Sequence, residues 1–115
     1  MIRLPKTFIR ANKFNARKCS EDGYKFDSGR ELKRYRELKL YVKAGHISNL
    51  EVHPIYVFTV NGHPICKMIP DFRYIEQEKL VVEDVKSPAT ITPVYRLKSK
   101  LLKALYGIDI KEILT

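Results

Sequence analysis

Two strand-like runs, residues 68–75 (MIPDFRYI) and 79–87 (KLVVEDVKS), are separated only by a short polar stretch, and each carries an acid among residues that otherwise read as buried. So short a connection predicts an antiparallel hairpin. A turn of two or four residues puts Asp71 directly opposite Asp84, with Cβ atoms about 4.5–5.5 Å apart. Lys86 lies two residues beyond Asp84, so strand alternation gives it the same face, while Glu83 goes to the other. A turn of three or five residues, or a bulge, separates the acids instead. Two carboxylates and an ammonium on one sheet face are costly to bury unpartnered. A divalent cation between the carboxylates supplies a partner.

The charge of the whole chain points to a class of partner. Its 115 residues, enough for one domain, carry a net charge of +9. Arg3, Lys6, Arg10, Lys13, Arg17 and Lys18 crowd the first 18 residues with no acid among them. Arg96, Lys98, Lys100 and Lys103 form a second basic group. Such a field attracts polyanions, and neutralising phosphates supplies affinity for nucleic acid. A solvated surface, or an acidic protein partner, is the alternative. No apolar run approaches the roughly 20 residues that span a bilayer, and the N-terminus lacks the pattern of a secretory signal. Cys19 and Cys66 show neither CxxC nor Cys/His spacing, as expected of thiols in a reducing compartment. A cytoplasmic protein with no membrane partner is the expectation.

Residues 1–23 read as a basic arm and residues 24–115 as the folded domain. Ser28-x-x-Glu31 fits a capping box for a helix over 28–44, with Phe26 stapling against Leu32 and Leu32, Tyr35, Leu38 and Val42 at helical spacing. Asn61-Gly62 marks a type I′ turn between strands at Ile55–Val60 and Ile65–Met68. His63-Pro64 suggests an edge or irregularity just after that turn. With the 79–87 strand these predict a three-stranded antiparallel meander. Thr92-Pro93 opens a second helix, whose predicted buried stripe is Val94, Leu97, Leu101 and Leu105, with Gly107 as its end. The tail IDIKEIL is expected to add a short fourth strand, parallel to the third through this helical crossover. The expected order is helix, strand, strand, strand, helix, strand.

That order, with Glu31 in the first helix, Pro70-Asp71 on the second strand and Asp84-Val85-Lys86 on the third, resembles the PD-(D/E)XK nuclease superfamily. The run from KFDSGRELKRYRELK to TPVYRLKSKLLKALYG looks like a small phage-encoded family within it. The archaeal Holliday-junction resolvases are more distantly similar and also place Ser after the catalytic Lys, as Ser87 stands here. The resemblance covers roughly residues 24–110. It implies a restriction-endonuclease-like α/β core: a mixed sheet of three antiparallel strands plus a short fourth, flanked by helices.

The resemblance also implies a site. Glu31, Asp71 and Asp84, with the Val85 carbonyl, would hold Mg²⁺ or Mn²⁺, and Lys86 would orient the attacking water or neutralise developing charge. An oxygen-only site suits hard cations rather than zinc. The implied activity is a metal-dependent DNA endonuclease leaving a 5′-phosphate, structure-selective on branched DNA in the manner of a Holliday-junction resolvase, and a homodimer because two strands must be cut. Arg10, Lys13, Arg17, Lys18, Arg96 and Lys98 are the expected DNA contacts. The residues alone leave other readings open. Glu31 suits a helix cap for local reasons. Asp71 and Asp84 could pair with Arg73 and Lys86. His46, His53 and His63 show no metal spacing. A nicking or non-specific DNase module of a recombination or packaging complex, a non-catalytic nucleic-acid-binding protein, and a small α/β interaction protein all fit the charge.

Overall fold

A computed structural model describes residues 18–115 of the chain. The arm residues Arg10, Lys13 and Arg17 lie outside the described residues. Helix α1 (Gly29–Lys43) starts as its cap predicts: the Glu31 N–H donates to Ser28 Oγ at 3.2 Å. The return bond differs from a capping box, because Glu31 Oε1 accepts from the Asp27 N–H at 3.4 Å. Tyr35 and Leu38 are buried and Leu32 packs against the core cluster that includes Phe26. Val42 instead stays exposed.

Before α1, strands β1 (Cys19–Glu21) and β2 (Tyr24–Phe26) form a hairpin around Asp22 and Gly23, both at positive φ. Part of the expected arm, residues 19–23, is therefore folded. The hairpin is clamped to α1: Arg36 and Lys39 both bond Glu21, and the Tyr35 hydroxyl donates to Asp22 Oδ2 at 2.8 Å.

The expected meander is replaced by two separate sheets. Strands β4 (Tyr56–Val60) and β5 (His63–Met68) pair only with each other. Their ladder slips between Phe58 and Thr59, opposite Pro64, where the missing proline N–H breaks the pairing. Asn61 and Gly62 turn the ribbon with φ of 52° and 81°, as their type I′ signal predicts. The chain then leaves this sheet at Ile69-Pro70-Asp71. Pro70 can donate to no ladder, so the predicted continuous strand over 68–75 splits into β5 and a new strand, β6 (Phe72–Glu76).

The central sheet has the order β3-β6-β7-β8. Strand β3 (Ser48–Val52), not foreseen from the sequence, pairs antiparallel with β6 across a bulge. Strand β7 (Lys79–Lys86) pairs antiparallel with β6 in the expected register, Phe72 against Glu83 and Glu76 against Lys79. Strand β8 (Lys111–Leu114) runs parallel to β7, as the crossover predicts. The β6–β7 turn is the two-residue pair Gln77-Glu78, with φ of 50° and 64°. A side chain in this left-handed region costs roughly 1–2 kcal/mol per residue. Glu78→Gly is expected to stabilise the protein by about 1 kcal/mol, read as a higher urea midpoint at unchanged m-value.

Helix α2 (Pro93–Tyr106) keeps its predicted ends: the Tyr95 N–H donates to Thr92 Oγ1 at 3.1 Å, and Gly107 closes the helix at φ 71°. Its buried face is corrected. Tyr95 and Leu102 are buried, whereas Val94, Leu97 and Leu105 are exposed and only Leu101 packs against the core. The helix is turned by about one residue from the predicted face, with Tyr95 and Leu102 in the core and the Tyr95 hydroxyl donating to Glu112 Oε2 at 2.9 Å on β8. Cores thus form on both sides of the central sheet. Phe26, Tyr35, Leu38, Ile47, Phe72 and Tyr74 meet under α1. Tyr56, Phe58, Met68, Val82, Tyr95 and Leu102 meet under α2 and the ribbon. Among the described residues no helix is long and apolar enough to cross a membrane.

Candidate active site

The central sheet opens onto a cleft of about 350 Å³ lined by Glu31, Asp71, Asp84, Val85 and Lys86, together with Arg30, Ser87, Thr90 and Thr115. All four residues expected to be catalytic therefore meet in one place, each delivered by a separate constraint. Glu31 comes from the first turn of α1, held there by the Ser28 cap. Asp71 sits in the step that Pro70 forces between β5 and β6. Asp84 and Lys86 are alternate residues of β7, and the parity of that strand turns both to the same side.

The two strand acids are locked to each other through backbone groups. The Asp71 N–H donates to Asp84 Oδ1 at 3.1 Å, and the Val85 N–H donates to Asp71 Oδ2 at 2.8 Å. Lys86 Nζ lies 3.4 Å from Asp84 Oδ2 and 4.1 Å from the centre of the Tyr95 ring. Arg73, the other candidate pairing partner, turns away and bonds Glu51 and the Tyr56 hydroxyl. The ion-pair alternative thus survives only for Asp84 with Lys86.

This leaves more negative charge than one ammonium balances. Burial pushes the Asp71 carboxyl up to about 9, helped by the nearby charges of Asp84 and Glu31. Burial also raises Glu31, against the lowering effect of the Asp27 N–H, with the charges of Asp27 and Asp84 raising it further. Such a set of carboxylates, Asp84 buried and Glu31 and Asp71 half-buried, fits a hard divalent cation. A consequence is measurable. The folded protein holds a proton on Asp71 that the unfolded chain has released above its ordinary value of 3.8. Stability of the metal-free protein is therefore expected to fall as pH rises from about 4 towards 9. The expected result in thermal melts across that range is a declining midpoint, with a shallower decline in Asp71→Asn.

Glu83, next to Asp84, points to the opposite side and serves the fold. It is fully buried and takes Arg34 on both oxygens, at 2.7 and 3.0 Å, and the Tyr74 hydroxyl at 2.6 Å. Glu37 pairs with the remaining side of Arg34 at 3.1 Å. Of the expected DNA contacts, Lys18 and Arg96 are exposed and Lys98 is half-buried. Two neighbours of the acids were missed from sequence. Arg30 lines the cleft one residue before Glu31. His53 brings a ring nitrogen within 4.8 Å of carboxylate oxygens of Glu31 and Asp71. Neither had a spacing that could announce it.

The described residues are those of an α/β protein whose mixed sheet carries an acidic cleft with a single lysine. Residues 11–113 match DUF1064, a family described as a protein of unknown function, and the chain belongs to that family. No curated protein and no solved structure matches the chain.

Proposed function

We propose that the protein is a metal-dependent DNA endonuclease of the PD-(D/E)XK type. The observation that carries this reading is the convergence of Glu31, Asp71, Asp84 and Lys86 in one cleft. In support, α1, β3, β6, β7, α2 and β8 follow the order helix, strand, strand, strand, helix, strand, with the β4–β5 ribbon inserted after the first strand.

Glu31, Asp71 and Asp84, with the Val85 carbonyl, would hold Mg²⁺ or Mn²⁺. The ion supplies charge that neutralises the phosphate and makes water a better nucleophile. The residues of the chain do the rest. Val85 and Asp71 fix the strand acids through their N–H groups, so little reorganisation is needed when a phosphodiester enters. Lys86, held over Tyr95 and beside Asp84, places an ammonium where negative charge develops on the phosphate. Arg30 gives a second cation at the mouth of the cleft. The net charge of +9 draws in the polyanion and favours DNA as the substrate.

Within the class, we favour a structure-selective enzyme acting on branched DNA as a homodimer. The test is cleavage of a labelled four-way junction beside a linear duplex of equal sequence, with Mg²⁺ or Mn²⁺. Paired nicking confined to the junction is the expected result. Equal cutting of both DNAs would remove the structure selectivity and keep the nuclease. Binding without metal-dependent cutting would make the protein a non-catalytic binder.

A further inference from the structure

His53 stands one residue beyond β3, where the chain turns off towards the ribbon, at φ 56°. Its backbone N–H donates to the Asp71 carbonyl at 2.9 Å, tying the strand end that carries the imidazole to the step that carries a site carboxylate. The ring packs against Phe26, with centroids 5.8 Å apart, so its place is fixed by the core. A ring nitrogen and carboxylate oxygens of Glu31 and Asp71 all lie within 4.8 Å of one another. Yet among the described residues no hydrogen bond joins the imidazole to either acid or to any other group.

An imidazole held this close to two acids with no hydrogen bond to either is placed as a donor that shares an ion with them. Bonds of about 2.1–2.2 Å place adjacent donors about 3 Å apart and opposite donors about 4.3 Å apart. An imidazole nitrogen beside two carboxylates also changes what the group selects. Mg²⁺ takes oxygen donors and keeps its waters, whereas first-row transition ions accept imidazole and carboxylate together.

We propose that His53 is a nitrogen ligand, completing with Glu31 and Asp71 a mixed group that binds Mn²⁺ in preference to Mg²⁺. The proposal rests on reading the cleft as a cation centre. It departs from the oxygen-only site that the sequence resemblance implies, and it assigns a role to a residue that sequence spacing passed over.

The test is pulsed electron paramagnetic resonance of Mn²⁺ added to the full chain, which reads nitrogen bound to the ion directly. The expected result is imidazole ¹⁴N modulation that changes when all histidines carry ¹⁵N, is lost in His53→Asn and persists in His46→Asn. Asparagine tolerates the left-handed backbone at this position, and the ¹⁵N labelling needs no substitution at all. Mn²⁺ competition by Mg²⁺ should need a large excess in the natural chain and a smaller one in His53→Asn. Bound Mn²⁺ without nitrogen modulation, or modulation that survives His53→Asn, overturns the role of His53 and leaves the carboxylate centre standing. No Mn²⁺ binding by the natural chain overturns both.

Discussion

Replacing Asp84 by Asn is expected to lower metal-dependent DNA cleavage by at least about a thousand-fold, the loss of roughly 4 kcal/mol of transition-state stabilisation. Asp84 has two tasks that one substitution removes together. Its Oδ1 accepts the Asp71 N–H and its Oδ2 faces Lys86. The amide keeps the shape of the side chain but loses the negative charge that a cation and Lys86 both need. Asp71→Asn is expected to cost as much. Because burial and two neighbouring acids hold the Asp71 carboxyl up to about 9, the amide mimics its protonated state. Fold stability at neutral pH should then rise or hold while activity vanishes. Single-turnover cleavage beside thermal melts separates the two effects. Full activity in both variants would remove the carboxylate site from the mechanism.

The largest effect on stability is expected behind the cleft, at Arg34. Glu83 is wholly buried, and its charge is met by the Arg34 guanidinium and the Tyr74 hydroxyl. Arg34→Ala strands that carboxylate in the core and is expected to cost about 3–5 kcal/mol. For a domain whose total stability is of order 5–15 kcal/mol, that is a large share. Pairing Arg34→Met with Glu83→Leu should recover part of the loss, since no buried charge is left unpaired and only the Tyr74 hydroxyl loses its acceptor. Urea denaturation of the single and double variants makes the comparison. A small loss in the single variant would mean that water reaches Glu83. The same contact has a bearing on the site: it anchors β7 to α1 one residue away from Asp84.

What was legible in the sequence depended on how local its signal was. The caps of both helices, the Asn61-Gly62 turn and the β6–β7 register come from short stretches whose chemistry admits few solutions. Asp22-Gly23 carries a turn signal of the same kind, but its flanking strands are only three residues each, too short for a period to be read. Strand β3 was hidden for a related reason: Asn49 at φ 54° puts a bulge in it, so the alternation runs only over Leu50, Glu51 and Val52. The face of α2 was misread because the helix carries two apolar stripes, and the buried one, with Tyr95 and Leu102, is also the one whose hydroxyl meets Glu112. The site fared better. Glu31, Asp71, Asp84 and Lys86 were placed together by strand parity and by resemblance. His53 was not, since its position depends on where the chain leaves β3.

The parallel pairing of β7 with β8 also sets an order of events in time. The letters that carry the chemistry are complete by Ser87, and the local β6–β7 hairpin can zip as soon as its turn is made. The other edge of β7 stays open until α2 has formed and brought Lys111–Leu114 alongside, with the Thr115 N–H closing onto the Lys86 carbonyl at 3.0 Å. A non-local pairing of this kind is slow to form. Two like-charged acids therefore face each other early, and Thr115, which lines their cleft just beyond β8, arrives late. Assembly, more than sequence, times the moment at which the site exists.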